Sequence, residues 1–286
     1  TDGSLMVSSN YNNLVRIWDV GSGECLKVLE GHSKFVNSAE FSIDGSKVVT
    51  SSWDKDVIIW DTATGAFLKE LKGHTNAVVS AAFNKDGLQI VSASLDNSVR
   101  IWDVASGVCL LVLIGHTEEV LSAAFSTDGR FIVSASMDNN IRIWEANTGE
   151  CLQVLKGHNY AVRSAYFSND GSLIVSAGGD NNLRIWDVET GACLHVLEGH
   201  TNNVVTARFN SDYVFDNKEY QIIFDVVNSI TEVGNAFFKL EVYNQAILKY
   251  HESQSLFKDD NSVEAISLRS KINLNISLCY FKQNNY

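Results

Sequence analysis

The chain has 286 residues, 45% of them apolar, and carries a formal net charge of −12 at pH 7. An acidic balance with no basic stripe argues against a nucleic-acid partner, and no apolar run approaches the roughly 20 residues that a membrane-spanning helix needs. With no secretory signal in view, neither membrane nor nucleic acid is expected as a partner, and a cytoplasmic location is.

From Thr1 onward the chain is periodic. The first unit is marked by Asp2-Gly3, Trp18-Asp19 and Gly31-His32, and these marks return every forty-two residues. The second unit has Asp44-Gly45, Trp60-Asp61 and Gly73-His74, and the third has Asp86-Gly87, Trp102-Asp103 and Gly115-His116. Asp128-Gly129, Trp144-Glu145 and Gly157-His158 follow, then Asp170-Gly171, Trp186-Asp187 and Gly199-His200. A fixed period of about 40–45 residues marks small stacked β units, none of which can bury its own apolar face alone. Because Thr1 falls in the middle of a unit, a fragment of a longer array is expected.

Within one unit the elements read as short strands. In the third, Val78 to Phe83, Gln89 to Ala93, Ser98 to Trp102 and Cys109 to Leu113 are runs of apolar and β-branched residues. Asp86-Gly87, Asp96-Asn97 and Ser106-Gly107 separate them, residues suited to turns and positive φ. Four strands per unit are expected over residues 1–212, and no 3.6-residue period competes with them. Cys25, Cys109, Cys151 and Cys193 recur at the head of the outermost strand, where Phe67 stands in the second unit. Equivalent points on neighbouring units should lie beyond bridging distance, so free, apolar-packing thiols in a reducing compartment are expected, with no metal bound.

A Ser-His-Asp combination invites a hydrolase reading. It recurs, however, as His74, Ser92, Asp96 with Trp102, then His116, Ser134, Asp138 with Trp144, then His158, Ser176, Asp180 with Trp186. His32, Thr50, Asp54 and Trp60 form a fourth set with Thr in place of Ser. Catalysis needs one site and not four, so no catalytic residue and no cofactor are assigned.

The Gly-His, Asp-Gly and Trp-Asp marks resemble those of the WD-repeat β-propellers, and the resemblance covers residues 1–212. It implies four-stranded blades around a channel. It also implies that each His, Ser or Thr, Asp and Trp set is a buried hydrogen-bond chain joining the loop before the inner strand to the second and third strands. Binding specificity is expected where the repeats disagree, at two places that the resemblance puts at the channel mouth on the top face. One holds Tyr11, Trp53, Leu95, Met137 and Gly179; the other includes Phe35, Asn37, Val79, Glu119, Leu121 and Arg163. Trp53 beside Phe35 is the expected anchor for a protein or peptide partner, because aromatic residues dominate interface energetics. Residues 4–29 lack an inner strand, and Val204 to Phe209 supply one without a blade, so pairing the two would close a ring of five. His200, Ser8, Asn12 and Trp18 would then form a composite network.

After a junction at 213–225, helical spacing is expected over 226–286. Gly234-Asn235-Ala236-Phe237-Phe238-Lys239 with Tyr243, Ala246 and Tyr250, then Leu274-Asn275-Ile276 with Tyr280 and Lys282, resemble partial tetratricopeptide repeats of co-chaperones. That resemblance implies three helices, with Asn235 and Asn275 in a clamp for the carboxyl-terminal tail of a heat-shock chaperone, although Thr231 stands where its first Lys belongs. The expected function is a non-enzymatic interaction scaffold: an all-β propeller holding one partner, and an all-α segment recruiting a second. A ubiquitin-ligase substrate receptor and a subunit of a transport coat or ciliary train are the alternatives. The first is weakened by Gly21, Ala63, Ala105, Asn147 and Glu189, where an Arg is common in receptors of one cullin system.

Overall fold

The computed structural model describes residues 3–10 and 12–209; Tyr11, the junction at 213–225 and the segment 226–286 with Asn235 and Asn275 lie outside them. The described residues form five antiparallel sheets, each a meander in chain order. The first has three strands, β1 (Leu5–Ser9), β2 (Val15–Asp19) and β3 (Cys25–Leu29). The second joins β4 (Val36–Phe41), β5 (Lys47–Ser52), β6 (Val57–Asp61) and β7 (Phe67–Leu71). The third joins β8 (Val78–Phe83), β9 (Gln89–Ser94), β10 (Ser98–Asp103) and β11 (Cys109–Ile114). The fourth joins β12 (Val120–Phe125), β13 (Phe131–Ser136), β14 (Asn140–Glu145) and β15 (Cys151–Lys156), and the fifth β16 (Val162–Phe167), β17 (Leu173–Gly178), β18 (Leu183–Asp187) and β19 (Cys193–Leu197).

Local chemistry sets each sheet. Gly45, Gly87, Gly129 and Gly171 take φ of 70° to 74° in the turns after the inner strands, a conformation that costs glycine nothing. The turn between second and third strands uses Asn97, Asn139 and Asn181 at φ 67° to 69°. Each third strand slips register at its Trp, so Trp18, Trp60, Trp102, Trp144 and Trp186 face Cys25, Phe67, Cys109, Cys151 and Cys193. Such a bulge bends the strand and sharpens its twist.

The sheets are held together by apolar faces. Leu113, Val99 and Ile101 of the third sheet pack on Val120, Ile132 and Trp144 of the fourth, all buried. The same contact joins the first sheet to the second, the second to the third and the fourth to the fifth. A hydrogen bond repeats alongside it: Ser38, Ser80 and Ser122 accept the backbone N–H of Ala81, Ala123 and Ala165 on the next inner strand, each at 3.2 Å. The four free cysteines described, Cys25, Cys109, Cys151 and Cys193, sit on the outermost strands, and Cys109 and Cys151 pack against two of these cores.

Among the described residues the two segments whose pairing would close a ring of five are not paired. The first sheet has the order β1-β2-β3, and residues 203–209 carry no strand. They lie by the fifth sheet, where the Val204 N–H reaches the Gly178 carbonyl at 3.1 Å. Ser164, next in the serine series, is buried with its hydroxyl unpartnered among the described residues. The composite network is absent as well: Trp18 donates to Ser8 at 2.8 Å, while His200 and Asn12 are exposed.

Candidate functional site

Each of the four complete sets builds the same relay. His32, His74 and His116 meet Asp54, Asp96 and Asp138 through Nδ1 at 2.8 Å, and their Nε2 atoms meet Thr50, Ser92 and Ser134 at 2.7 to 2.8 Å. The indole N–H groups of Trp60, Trp102 and Trp144 donate to those same hydroxyls at 2.8 to 2.9 Å. With Nδ1 protonated, every proton has an acceptor: indole to hydroxyl, hydroxyl to imidazole, imidazole to carboxylate. The neighbouring glycine belongs to the same device, since a Cβ on Gly31 would stand 2.8 Å from Trp60 and one on Gly115 3.0 Å from Trp144.

The His158 set keeps the relay but seats its aspartate differently, and the sequence explains how. Where Ser52, Ser94 and Ser136 accept the N–H of the turn aspartate, the fifth sheet has Gly178. Asp180 moves into the vacated space, within 2.9 and 3.0 Å of His158 through its two oxygens, and a Cβ at Gly178 would lie 2.3 Å from both side chains. Arg184 then donates to Asp180 at 2.9 Å. Ser176 still bridges His158 and Trp186, each at 2.8 Å.

Electrostatics follow from this geometry. Burial pushes the carboxyls of Asp54, Asp96, Asp138 and Asp180 up, but hydrogen bonds from histidine and backbone N–H groups outweigh it and leave all four below the ordinary range, Asp138 at about 2. Burial lowers His158, with Arg184 adding to the effect and Asp180 opposing it. The hydroxyls of Thr50, Ser92, Ser134 and Ser176 belong to residues with 0% exposure. A nucleophile must meet its substrate, and each of these is enclosed between an indole and an imidazole. Among the described residues no group of three or more His, Cys, Asp or Glu is placed to hold a metal.

The variable places meet in each sheet. Backbone N–H groups of Trp53, Leu95, Met137 and Gly179 donate to the carbonyls of Phe35, Ala77, Glu119 and Ala161 at 2.8 to 2.9 Å. Phe35 and Trp53 stand edge to face, ring centroids 6.3 Å apart at 62°, and are 45% and 47% exposed. The Trp53 indole donates to Asn37 Oδ1 at 3.1 Å, and Asn37 in turn donates to the Val78 carbonyl of the next sheet at 2.8 Å. The Trp53 ring is therefore positioned before any partner arrives. Met137 is also exposed, whereas Val79, Leu95, Glu119, Leu121 and Arg163 are half-buried, and Val79 packs on the core between the third and fourth sheets.

A second variable place escaped the sequence reading. Glu40, Ala82, Ala124, Tyr166 and Arg208 hold the same position in successive repeats, and together they line one cavity of about 250 Å³. The Arg208 guanidinium lies 3.9 Å from the centre of the Tyr166 ring. Crowding by protein pushes the Glu40 carboxyl up, and the charge of Arg208 pulls it partly back. The available signal was the disagreement itself: two alanines beside an acid, an aromatic and a base at a single strand position.

Part of the chain is similar to a protein called Nuclear distribution protein PAC1 from Fusarium vanettenii, with 43% identity over 42 residues. The match covers 15% of this chain and 9% of that protein, far less than two thirds of its length. The family model described as WD domain, G-beta repeat matches residues 23–61, 65–103, 107–145 and 149–187. Each matched segment runs from the outermost strand of one sheet through three strands of the next, so every repeat stitches two sheets together. With more than half of its residues in these four matches and four-stranded sheets stacked through the repeated faces, the chain belongs to the WD40 family.

Proposed function

We propose that the protein is a non-enzymatic interaction scaffold whose face around Phe35 and Trp53 grips an apolar segment of a partner protein. One observation carries this reading: two large aromatic rings, each nearly half exposed, stand edge to face, and the Trp53 indole is held by Asn37, which is itself tied to the neighbouring sheet. An anchor ordered in advance loses little entropy on binding, which is where affinity is usually lost. Membership of the WD40 family supports the protein-binding class, and the short likeness to a nuclear distribution protein fits an adaptor. The four His relays serve stability in this reading, and the working location is the cytoplasm.

The segment 226–286 is proposed as the second arm, with Asn235 and Asn275 receiving the acidic tail of a chaperone. It rests on the sequence pattern alone. Joining two binding modules raises the effective concentration of one partner near the other. The test is affinity capture with the full chain against its Phe35→Ala and Trp53→Ala variants, folding being checked by circular dichroism. Loss of the same proteins from both variants is expected; an unchanged set of captured proteins would remove the face from the account.

A further inference from the structure

The cavity lined by the inner strands holds a constellation that a purely structural wall does not require. Of five equivalent inner positions, Ala82 and Ala124 keep the wall small, and Glu40, Tyr166 and Arg208 face the space they leave. Arg208 lies over Tyr166 at 3.9 Å from the ring centre, within the range where a ring quadrupole attracts a cation. Glu40, an exposed residue of β4, lines the same cavity, and the charge of Arg208 favours its ionised form. A planar cation stacked on the Tyr166 ring and sharing a cavity with the Glu40 carboxylate complements both.

What carries Arg208 is weakly attached. Residues 203–209 form no strand, and the Val204 N–H to Gly178 carbonyl bond is the backbone tie described for them. By the serine series, Ala207 would give its N–H to Ser164, yet that hydroxyl is buried and unpartnered among the described residues. Arg208 can leave without unzipping a ladder. Glu40 and Arg208 also line a wider adjoining cavity of about 740 Å³, large enough to admit a side chain.

We propose that Glu40 and Tyr166 form a guanidinium-binding site in this cavity, occupied in this structure by the chain's own Arg208 and open to an arginine side chain of a partner protein that displaces it. The segment 203–209 then acts as a resident competitor.

The test removes the competitor in the full-length chain. Arg208→Gln keeps the bulk and loses the charge; N-acetyl-arginine amide is titrated by calorimetry against it and against the wild type. The variant is expected to bind about tenfold more tightly than the wild type, because the internal occupant is gone. N-acetyl-citrulline amide, neutral and of the same shape, is expected to bind neither, and Glu40→Gln with Arg208→Gln is expected to lose the gain. Equal affinity of wild type and Arg208→Gln, equal binding of the citrulline compound, or a gain that survives in the double variant would each overturn the proposal. Should Arg208→Gln fail to fold, Arg208→Lys takes its place: the lysine ammonium is not planar and competes less well for the ring, and the arginine compound must bind this variant more tightly than the wild type.

Discussion

The internal junctions of the stack and its two terminal faces are built from the same residues with opposite results. Leu29, Leu71, Leu113 and Leu155 close the outermost strands of the first four sheets and are 1 to 2% exposed, whereas Leu197 on the fifth is 40% exposed. At the other end, Val48, Ile90, Ile132 and Ile174 are fully buried, and their counterpart Met6 is 52% exposed. Val20 stands open at 57% where Ala146 has 3%. A sheet thus owns half of a core; the neighbour makes it one. Stability in such an array is a sum over sheets and over junctions, and the terminal sheets lack one junction each.

The largest test of this contrast is Leu113→Ala against Leu197→Ala. The first is expected to cost about 2–5 kcal/mol through a cavity at a closed junction, and the second within about 0.5 kcal/mol. Urea unfolding of both variants measures the difference. Equal losses would mean that the fifth sheet's face is covered in solution.

Histidine offers the next comparison. Removing the His116 side chain leaves Asp138 and Ser134 buried without their partner, a loss of about 1–3 kcal/mol. The same change at exposed His200 should leave the thermal midpoint where it was. A fall at His200 as large as at His116 would show that the composite network of the first sheet forms after all.

The smallest effect is in acid. Asp138 has a folded value of about 2 against an ordinary 3.8, so its contribution is fully present above pH 3.8 and is lost as pH falls toward 2. Screening limits this to about 1 kcal/mol. Asp138→Asn should flatten that part of the stability curve, while the first sheet, with Asn12 at this place, has nothing there to titrate. A curve of unchanged slope in Asp138→Asn would assign the acid loss to other groups.

Much of the fold was legible because each cue acts within one unit. The strands of the third unit ended within one residue of their expected limits, at Ser94, Asp103 and Ile114, since alternation and turn residues operate over a few positions. The relays were legible for a related reason: a buried imidazole, hydroxyl, carboxylate and indole at fixed spacing satisfy one another almost regardless of what surrounds them. The Phe35–Trp53 pair was found by asking where repeats differ, and the same question at the fifth inner-strand position would have raised Glu40, Tyr166 and Arg208. The slide of Asp180 into the space beside Gly178 was hidden, because a missing hydroxymethyl group says nothing about which neighbour fills its volume.

The sequence by itself determined the units: four short strands, their turns, their bulges and the polar relay that pins each sheet, all set by interactions within about forty residues. Tertiary structure alone decided what happens at the ends. Whether Val204 to Phe209 pairs with β1 depends on angles accumulated over five sheets, and no residue encodes that sum. In this structure the segment instead lies beside the fifth sheet, with Arg208 on Tyr166 and facing Glu40, because the attraction of a cation for a ring and a carboxylate needs no strand to form.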